Sequence, residues 1–146
     1  MVISVDTNVL LRYLLQDDKD QSPKANRLFS STKKVLITDM VLVEALWTLK
    51  GKRYNLGKQD QLMVLSQLFK EPNVIFENRQ TMWSAMNSFR TSEKIKVGNK
   101  RKEADFADAL ILEKSKSICI EKRESFDGLF TFDVASQQFD GTKEPK

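Results

Sequence analysis

Val2-Ile3-Ser4-Val5 is a short apolar run that stops abruptly at Asp6, a pattern that predicts a first strand buried on both faces. Asn8 to Gln16 (NVLLRYLLQ) then predicts a helix, broken by Asp17-Asp18-Lys19-Asp20. Ser22-Pro23 predicts an N-cap followed by proline at the first helical position, with the second helix running to about Ser30. Lys34 to Thr38 (KVLIT) predicts the second strand. The third helix starts at Thr38 or Asp39 as its cap and turns Val41, Leu42, Ala45 and Leu49 inward. A fourth helix is expected over Lys58 to Lys70 around Leu62, Leu65, Leu68 and Phe69, with Pro72 beyond its end. Asn73 to Phe76 predicts a third strand, and Asn78 to Thr91 a fifth helix around Met82, Trp83, Met86 and Phe89. A basic loop leads to a sixth helix over Lys102 to Lys116, and Ile118–Ile120 and Leu129–Thr131 are short strand candidates. Strands alternating with helices predict an α/β fold with a mostly parallel sheet. No repeat, low-complexity tract or Pro/Gly linker interrupts the chain, so a single domain over residues 1–146 is expected, with a C-terminal tail from about 140 to 146.

Composition narrows the chemistry. A chain of 146 residues buries roughly 70% of its unfolded surface, enough for a substantial core. Histidine is absent, which excludes Ser-His-Asp and Cys-His nucleophilic sites, paired-histidine acid–base catalysis and any His-containing zinc site. The single cysteine, Cys119, can form neither an intramolecular disulfide nor a thiolate cluster and points to a reducing compartment. No apolar run approaches the roughly 20 residues that span a membrane, and MVISVD lacks a signal-peptide pattern. A soluble, cytoplasmic protein without a membrane partner is the expectation.

Charge adds a second theme. The net charge of +4 favours an anionic partner, and its distribution is uneven. Glu93 to Glu103 holds five basic residues (Lys94, Lys96, Lys100, Arg101, Lys102) between those two acids, and Lys50 to Lys58 holds four (Lys50, Lys52, Arg53, Lys58) without an acid. Solvated loop and helix ends give one reading of these clusters; contact with a nucleic-acid backbone gives the other.

The acids sit at telling positions. Ligands of open parallel sheets bind beyond the carboxyl ends of the strands. Asp6 stands at such an end, and Asp133 just past another in Leu129-Phe130-Thr131-Phe132-Asp133. Either is equally at home as a turn residue or N-cap. Glu44 interrupts the most apolar helix, Met40 to Trp47, so it must reach solvent, meet a cation or pair in a salt bridge. Asp105 and Asp108, three apart on one helix, share a face. They form either a solvent-exposed stripe, with Asp105 serving the helix dipole, or a pair that gathers a cation. Together the acids fit an all-oxygen site for Mg²⁺ or Mn²⁺. Bound metal activates water in a chain that has no histidine to do so. An acidic centre rimmed by basic segments matches the charge logic of a metal-dependent nuclease.

These residues also carry a family likeness. Val5-Asp6-Thr7-Asn8-Val9-Leu10, Val43-Glu44, Asp105-Phe106-Ala107-Asp108-Ala109-Leu110-Ile111 and Thr131-Phe132-Asp133 resemble, in order and spacing, the motifs of PIN-domain nucleases. Within them the chain resembles VapC-type toxins of type II toxin–antitoxin pairs, from Val2 to about Phe139. The resemblance implies a three-layer α/β/α sandwich around a mostly parallel sheet. It implies an acidic catalytic and metal-binding quartet at Asp6, Glu44, Asp108 and Asp133, with Asp105 as an additional acid and Asn8 and Thr131 lining the pocket. It further implies Mg²⁺- or Mn²⁺-dependent endoribonuclease activity, an RNA substrate, a cognate antitoxin that enters the site, and a homodimer. One departure is the long, charged stretch from Cys119 to Gly128 before the last motif. Asp127 there competes with Asp133 for the fourth acidic position; Asp133 is preferred because it follows an apolar run and Thr131, whereas Asp127-Gly128 reads as a turn.

Other functions compete with this one. A haloacid-dehalogenase-type phosphatase needs a second acid two residues after Asp6, where this chain has Asn8. A response-regulator receiver domain needs a pair of acids before the first helix, where only Asp6 stands. A non-toxin PIN nuclease of RNA processing and a catalytically silent RNA-binding PIN domain remain the alternatives within the family.

Overall fold

Three short parallel strands, β1 (Val2–Ser4), β2 (Lys34–Ile37) and β3 (Val74–Phe76), form the sheet of the computed structural model, which describes residues 1–146. The chain divides into two compact units, Met1–Arg79 and Gln80–Lys146. In the first unit the strand order is β1-β2-β3, with Ile3 beside Val35 and Leu36 beside Ile75. Four helices accompany it: α1 (Thr7–Leu15), α2 (Gln21–Phe29), α3 (Asp39–Lys50) and α4 (Lys58–Lys70). The central strand supplies the driest positions, since Val35 and Ile37 are fully buried together with Leu10, Leu42, Leu49, Leu65 and Leu68. Burying one such side chain contributes about 1.5–3 kcal/mol. Tyr13 stacks on Phe29 at 3.9 Å with rings 7° from parallel, which fixes α1 against α2.

Several local expectations are corrected in this unit. The first strand is not buried on both faces: Val2 is 55% exposed and Ser4 is exposed, and residues two apart on a strand share a face, so one face of β1 is uncovered. Ser22 is not the N-cap of the second helix, which begins one residue earlier. Asp18 serves the helix start instead, its Oδ1 accepting from the backbone N–H of Asp20 (2.9 Å) and Gln21 (2.7 Å). Pro23 still falls in the first turn, where its missing N–H removes no helical bond. On α3 the inward face is Leu42, Ala45, Leu46 and Leu49, while Val41 is only half-buried.

The second unit contains α5 (Arg79–Thr91), which starts on the last residue of the first unit, then β4 (Ile95–Val97), β5 (Lys100–Lys102), α6 (Phe106–Glu121), β6 (Leu129–Phe130), a 3-10 turn (Ser136–Gln138) and β7 (Thr142–Lys143). Met82, Met86, Phe89, Phe106 and Leu112 are buried here, whereas Trp83 is 45% exposed. The expected basic loop is an antiparallel hairpin, β4 paired with β5. Its turn is Gly98-Asn99, with Gly98 at φ +62°, a backbone region that glycine enters without penalty. The sixth helix starts at Phe106 rather than Lys102, and the strand expected over Ile118–Ile120 is its last turn. Within the expected C-terminal tail, Thr142–Lys143 pairs in parallel with β6. The architecture is thus α/β, with six α-helices and small, mostly parallel sheets. No helix is long and apolar enough to cross a membrane.

Candidate active site

In the first unit the strand-to-helix junctions position the acids. Asp6 follows β1 and caps α1, its Oδ1 accepting from the backbone N–H of Val9 at 3.0 Å. Thr7, the first residue of α1, donates from Oγ1 to Glu44 Oε2 at 2.7 Å. The carboxylate of Glu44 is therefore held beside the residue that follows Asp6, and the structure brings these two acids to the same end of α1. Glu44 is exposed and forms no ion pair, so the salt-bridge reading does not apply to it. Asn8 is exposed, donates to Gln21 Oε1 at 3.4 Å, and lines a 320 Å³ cavity with Arg12, Asp20, Gln21 and Lys24.

Sequence reasoning passed over Glu77 in this unit and took Asp39 only as a possible cap, a role that Thr38 fills. The backbone N–H of Asp39, at the start of α3, donates to Glu77 Oε2 at 2.6 Å. Glu77 follows β3 as Asp6 follows β1, so an acid stands within two residues of the carboxyl end of each parallel strand. The signal was present: Val74-Ile75-Phe76 stops at Glu77 as Val2-Ile3-Ser4-Val5 stops at Asp6. Thr7 was likewise overlooked as the residue that orients Glu44.

The second unit gathers the remaining acids. Asp105 caps α6 and accepts from the Asp108 backbone N–H at 3.0 Å, while Asp108 Oδ2 accepts from the Asp105 backbone N–H at 2.9 Å. This is a reciprocal capping box built from two aspartates. Both side chains are half-buried, so the exposed-stripe reading does not describe them, and Asp105 stands at the N-cap, where its charge also serves the helix dipole. Asp133 projects from the segment after β6. Its Oδ1 accepts from the Ala135 N–H (3.1 Å), its Oδ2 from Ser136 Oγ (2.9 Å), and its own N–H donates to Thr131 Oγ1 (3.0 Å). Thr131 thus shapes the turn that carries Asp133. Burial pushes the Asp108 carboxyl up to about 6, and the negative charges of Asp105 and Asp133 push in the same direction. Asp127 stands apart, 90% exposed at its side chain and paired with Lys143 at 3.3 Å, whereas the charge of Asp133, also exposed, acts on Asp108.

Lys94, Lys96, Lys100, Arg101 and Lys102 are all exposed, and none forms an ion pair.

The donor set suits a hard cation: carboxylates with a threonine hydroxyl and an asparagine amide nearby, and no soft ligand among them. Within neither unit do three or more acids stand close enough to hold a metal on their own. Asp6 and Glu44 on one unit, and Asp105 and Asp108 on the other, each offer the one or two carboxylates that Mg²⁺ takes while retaining water. Neither a protein-family model nor a curated protein matches the chain.

Proposed function

We propose that the protein is a divalent-metal-dependent endoribonuclease of the PIN type, the toxin of a VapBC-like toxin–antitoxin pair, built as a three-layer α/β/α sandwich. The observation that carries this reading is Asp108, a half-buried carboxylate that shares its helix start with Asp105 and feels Asp133, with no lysine or arginine paired to it. Gathering negative charge on an apolar helix costs stability and is retained where a cation is to be recruited.

In the first unit Asp6 and Glu44 would offer carboxylates to Mg²⁺ or Mn²⁺, and in the second Asp108 and Asp133 would, with Asp105 as an accessory. The bound metal supplies activation of water and neutralisation of phosphate charge. The chain's own residues prepare for that chemistry. Thr7 orients Glu44 through its hydroxyl. Asp105 fixes the rotamer of Asp108 by the reciprocal cap. Ser136 and the Ala135 N–H hold the carboxylate of Asp133. An antitoxin that enters the acidic pocket and a homodimeric toxin belong to the same proposal.

A second reading, a catalytically silent RNA-binding PIN domain, is favoured by one observation: Asp6 caps a helix and both oxygens of Asp133 accept hydrogen bonds within their own turn. Incubation of mixed RNA with the purified protein separates the two. Cleavage that requires Mg²⁺ or Mn²⁺ and stops with EDTA supports the nuclease; RNA binding without cleavage at any metal concentration supports the silent domain. Asp6→Asn is the companion control, since it keeps the cap and removes the charge.

A further inference from the structure

The hairpin β4–β5 places like charges directly opposite each other. Lys96 pairs with Arg101 across the ladder, and the two neighbouring pairs are Ile95 with Lys102 and Val97 with Lys100. Paired residues share a face, with Cβ atoms about 4.5–5.5 Å apart. One face therefore carries Ile95 and Val97, both half-buried, together with the exposed Lys102 and Lys100, and the opposite face carries Lys96 and Arg101, both exposed. Two cations at that separation destabilise a two-stranded ribbon that is already marginal by itself. No carboxylate neutralises either of them. Glu93 and Glu103 flank the hairpin in sequence, yet neither forms an ion pair with it.

The hairpin is also fixed at both ends to the acidic elements of its own unit. The Gln138 side chain accepts from the Glu93 backbone N–H at 2.8 Å and donates to the Glu93 carbonyl at 2.9 Å. Gln138 ends the 3-10 turn whose first residue, Ser136, holds Asp133. At the other end only Glu103 and Ala104 separate Lys102 from Asp105, so these two Cα atoms lie within about 11 Å. A cationic ribbon is thus latched at one end to the Asp133 turn and at the other to the Asp105–Asp108 cap.

We infer that the Lys96–Arg101 face of this hairpin is a phosphodiester-backbone grip that holds single-stranded RNA beside the acidic elements of its unit. The inference rests on the ribonuclease reading for its substrate. It assigns binding to Lys96 and Arg101 and a positioning role to Gln138. The hairpin holds no aromatic ring on which a base could stack, so the grip reads charge and not sequence.

The test uses the full-length protein in EDTA, so that binding is measured without cleavage. Fluorescence anisotropy follows a labelled 20-nucleotide oligo(U) and an unrelated mixed-sequence RNA of equal length across a salt series. Each lost phosphate contact removes about 0.7 from the slope of log K against log salt for a single strand. Lys96→Ser/Arg101→Ser is expected to flatten the slope by about 1.4 for both RNAs. The melting temperature is expected to rise by about 1–3 °C as the repulsion disappears. Lys33→Ser/Lys122→Ser removes the same net charge from exposed sites elsewhere and is expected to leave the slope near wild type. An unchanged slope in the hairpin variant, or equal flattening in the control, overturns the inference. So does a hairpin variant that binds both RNAs normally but loses binding to poly-glutamate, which would make the face a protein-docking surface. Metal-dependent cleavage is scored separately. Its absence in the wild type would sink the ribonuclease reading, whereas an unchanged slope in an active enzyme would sink only the grip.

Discussion

Asp105 and Asp108 each accept the other's backbone N–H, at 3.0 and 2.9 Å, so two like charges are locked face to face at the start of α6. The hydrogen bonds stabilise the helix start, and the half-buried position opposes ionisation of Asp108. Its folded-state carboxyl, pushed up to about 6, lies above the ordinary unfolded value near 4. Between those values the folded protein binds more protons than the unfolded chain, and stability falls as pH rises through that window. Asn at this position still accepts from the Asp105 N–H but carries no charge. Asp108→Asn is therefore expected to raise the melting temperature at about pH 7.5, with the gain vanishing near pH 4. Mg²⁺ or Mn²⁺ at about pH 7.5 is expected to stabilise the wild type and not the variant. Melting curves across pH, with and without metal, check both; a variant less stable than wild type at neutral pH would remove Asp108 as a charge held against its own preference.

Asp6 separates two roles that one carboxylate performs. Its Oδ1 caps α1 through the Val9 N–H, which Asn can also do. Asp6→Asn is expected to keep the wild-type stability and abolish RNA cleavage. Asp6→Ala is expected to abolish cleavage and also cost about 1 kcal/mol, the usual value of a lost cap. Denaturant unfolding of the two variants beside an RNA cleavage assay tests the pair. Wild-type-like cleavage by Asp6→Asn would leave Asp6 as a cap only.

How far the sequence carried is clearest in Asp6. It was visible as a carboxylate at an element start, and both alternatives drawn from the sequence, cap and ligand, remain compatible with one side chain, since a carboxylate has two oxygens and the cap uses one. The strands were legible from apolar runs that end in an acid, yet the open face of β1 at Val2 and Ser4 was not, because a short apolar run does not reveal which face other elements leave uncovered. Ile118–Ile120 looked like a strand because three residues of apolar alternation fit either period, and the continuity of α6 decided otherwise. The β4–β5 hairpin was masked by its own charge. Ile95 and Val97 alternate with Lys96 ahead of Gly98-Asn99, a hairpin signature, but Lys100-Arg101-Lys102 has no apolar position, so the second strand carries no alternation. The Thr7–Glu44 bond, spanning 37 residues, has no sequence signature.

That bond makes Glu44 the most discriminating site of the first unit. Because Glu44 is exposed and unpaired with any cation, Glu44→Gln is expected to change stability by no more than about 0.5 kcal/mol. A buried salt bridge would have made the same change cost about 3–5 kcal/mol. Thr7→Val keeps the side-chain volume and removes the hydroxyl that orients Glu44. Cleavage is expected to fall about tenfold to a hundredfold, the usual effect of losing a group that orients a metal-binding carboxylate, with the melting temperature little changed. Thr7→Ser, which restores the donor, is expected to recover most of the loss. If Thr7→Val cleaves RNA as well as wild type, Glu44 needs no orientation from α1.

Gln138 lets the hairpin's attachment be tested apart from its charge. Its side chain closes two hydrogen bonds on the backbone of Glu93 and donates a third to the Ala135 carbonyl at 2.8 Å, so one residue ties β4 to the turn that carries Asp133. Gln138→Ala removes these bonds and leaves every lysine and arginine of the hairpin in place. Hydrogen exchange is expected to accelerate across residues 93–103, while the buried first turns of α6 from Phe106 to Leu112 stay protected. The salt slope of RNA binding is expected to hold, because the number of cations is the same. Affinity is expected to drop severalfold, because a loosened ribbon must be ordered on binding. Glutamate at position 138 still accepts from the Glu93 N–H but cannot donate to its carbonyl, and Gln138→Glu is expected to fall between wild type and Gln138→Ala in exchange rate. A Gln138→Ala protein with unaltered exchange in the hairpin would show that Ile95 and Val97, packed as they are, hold β4 without the latch.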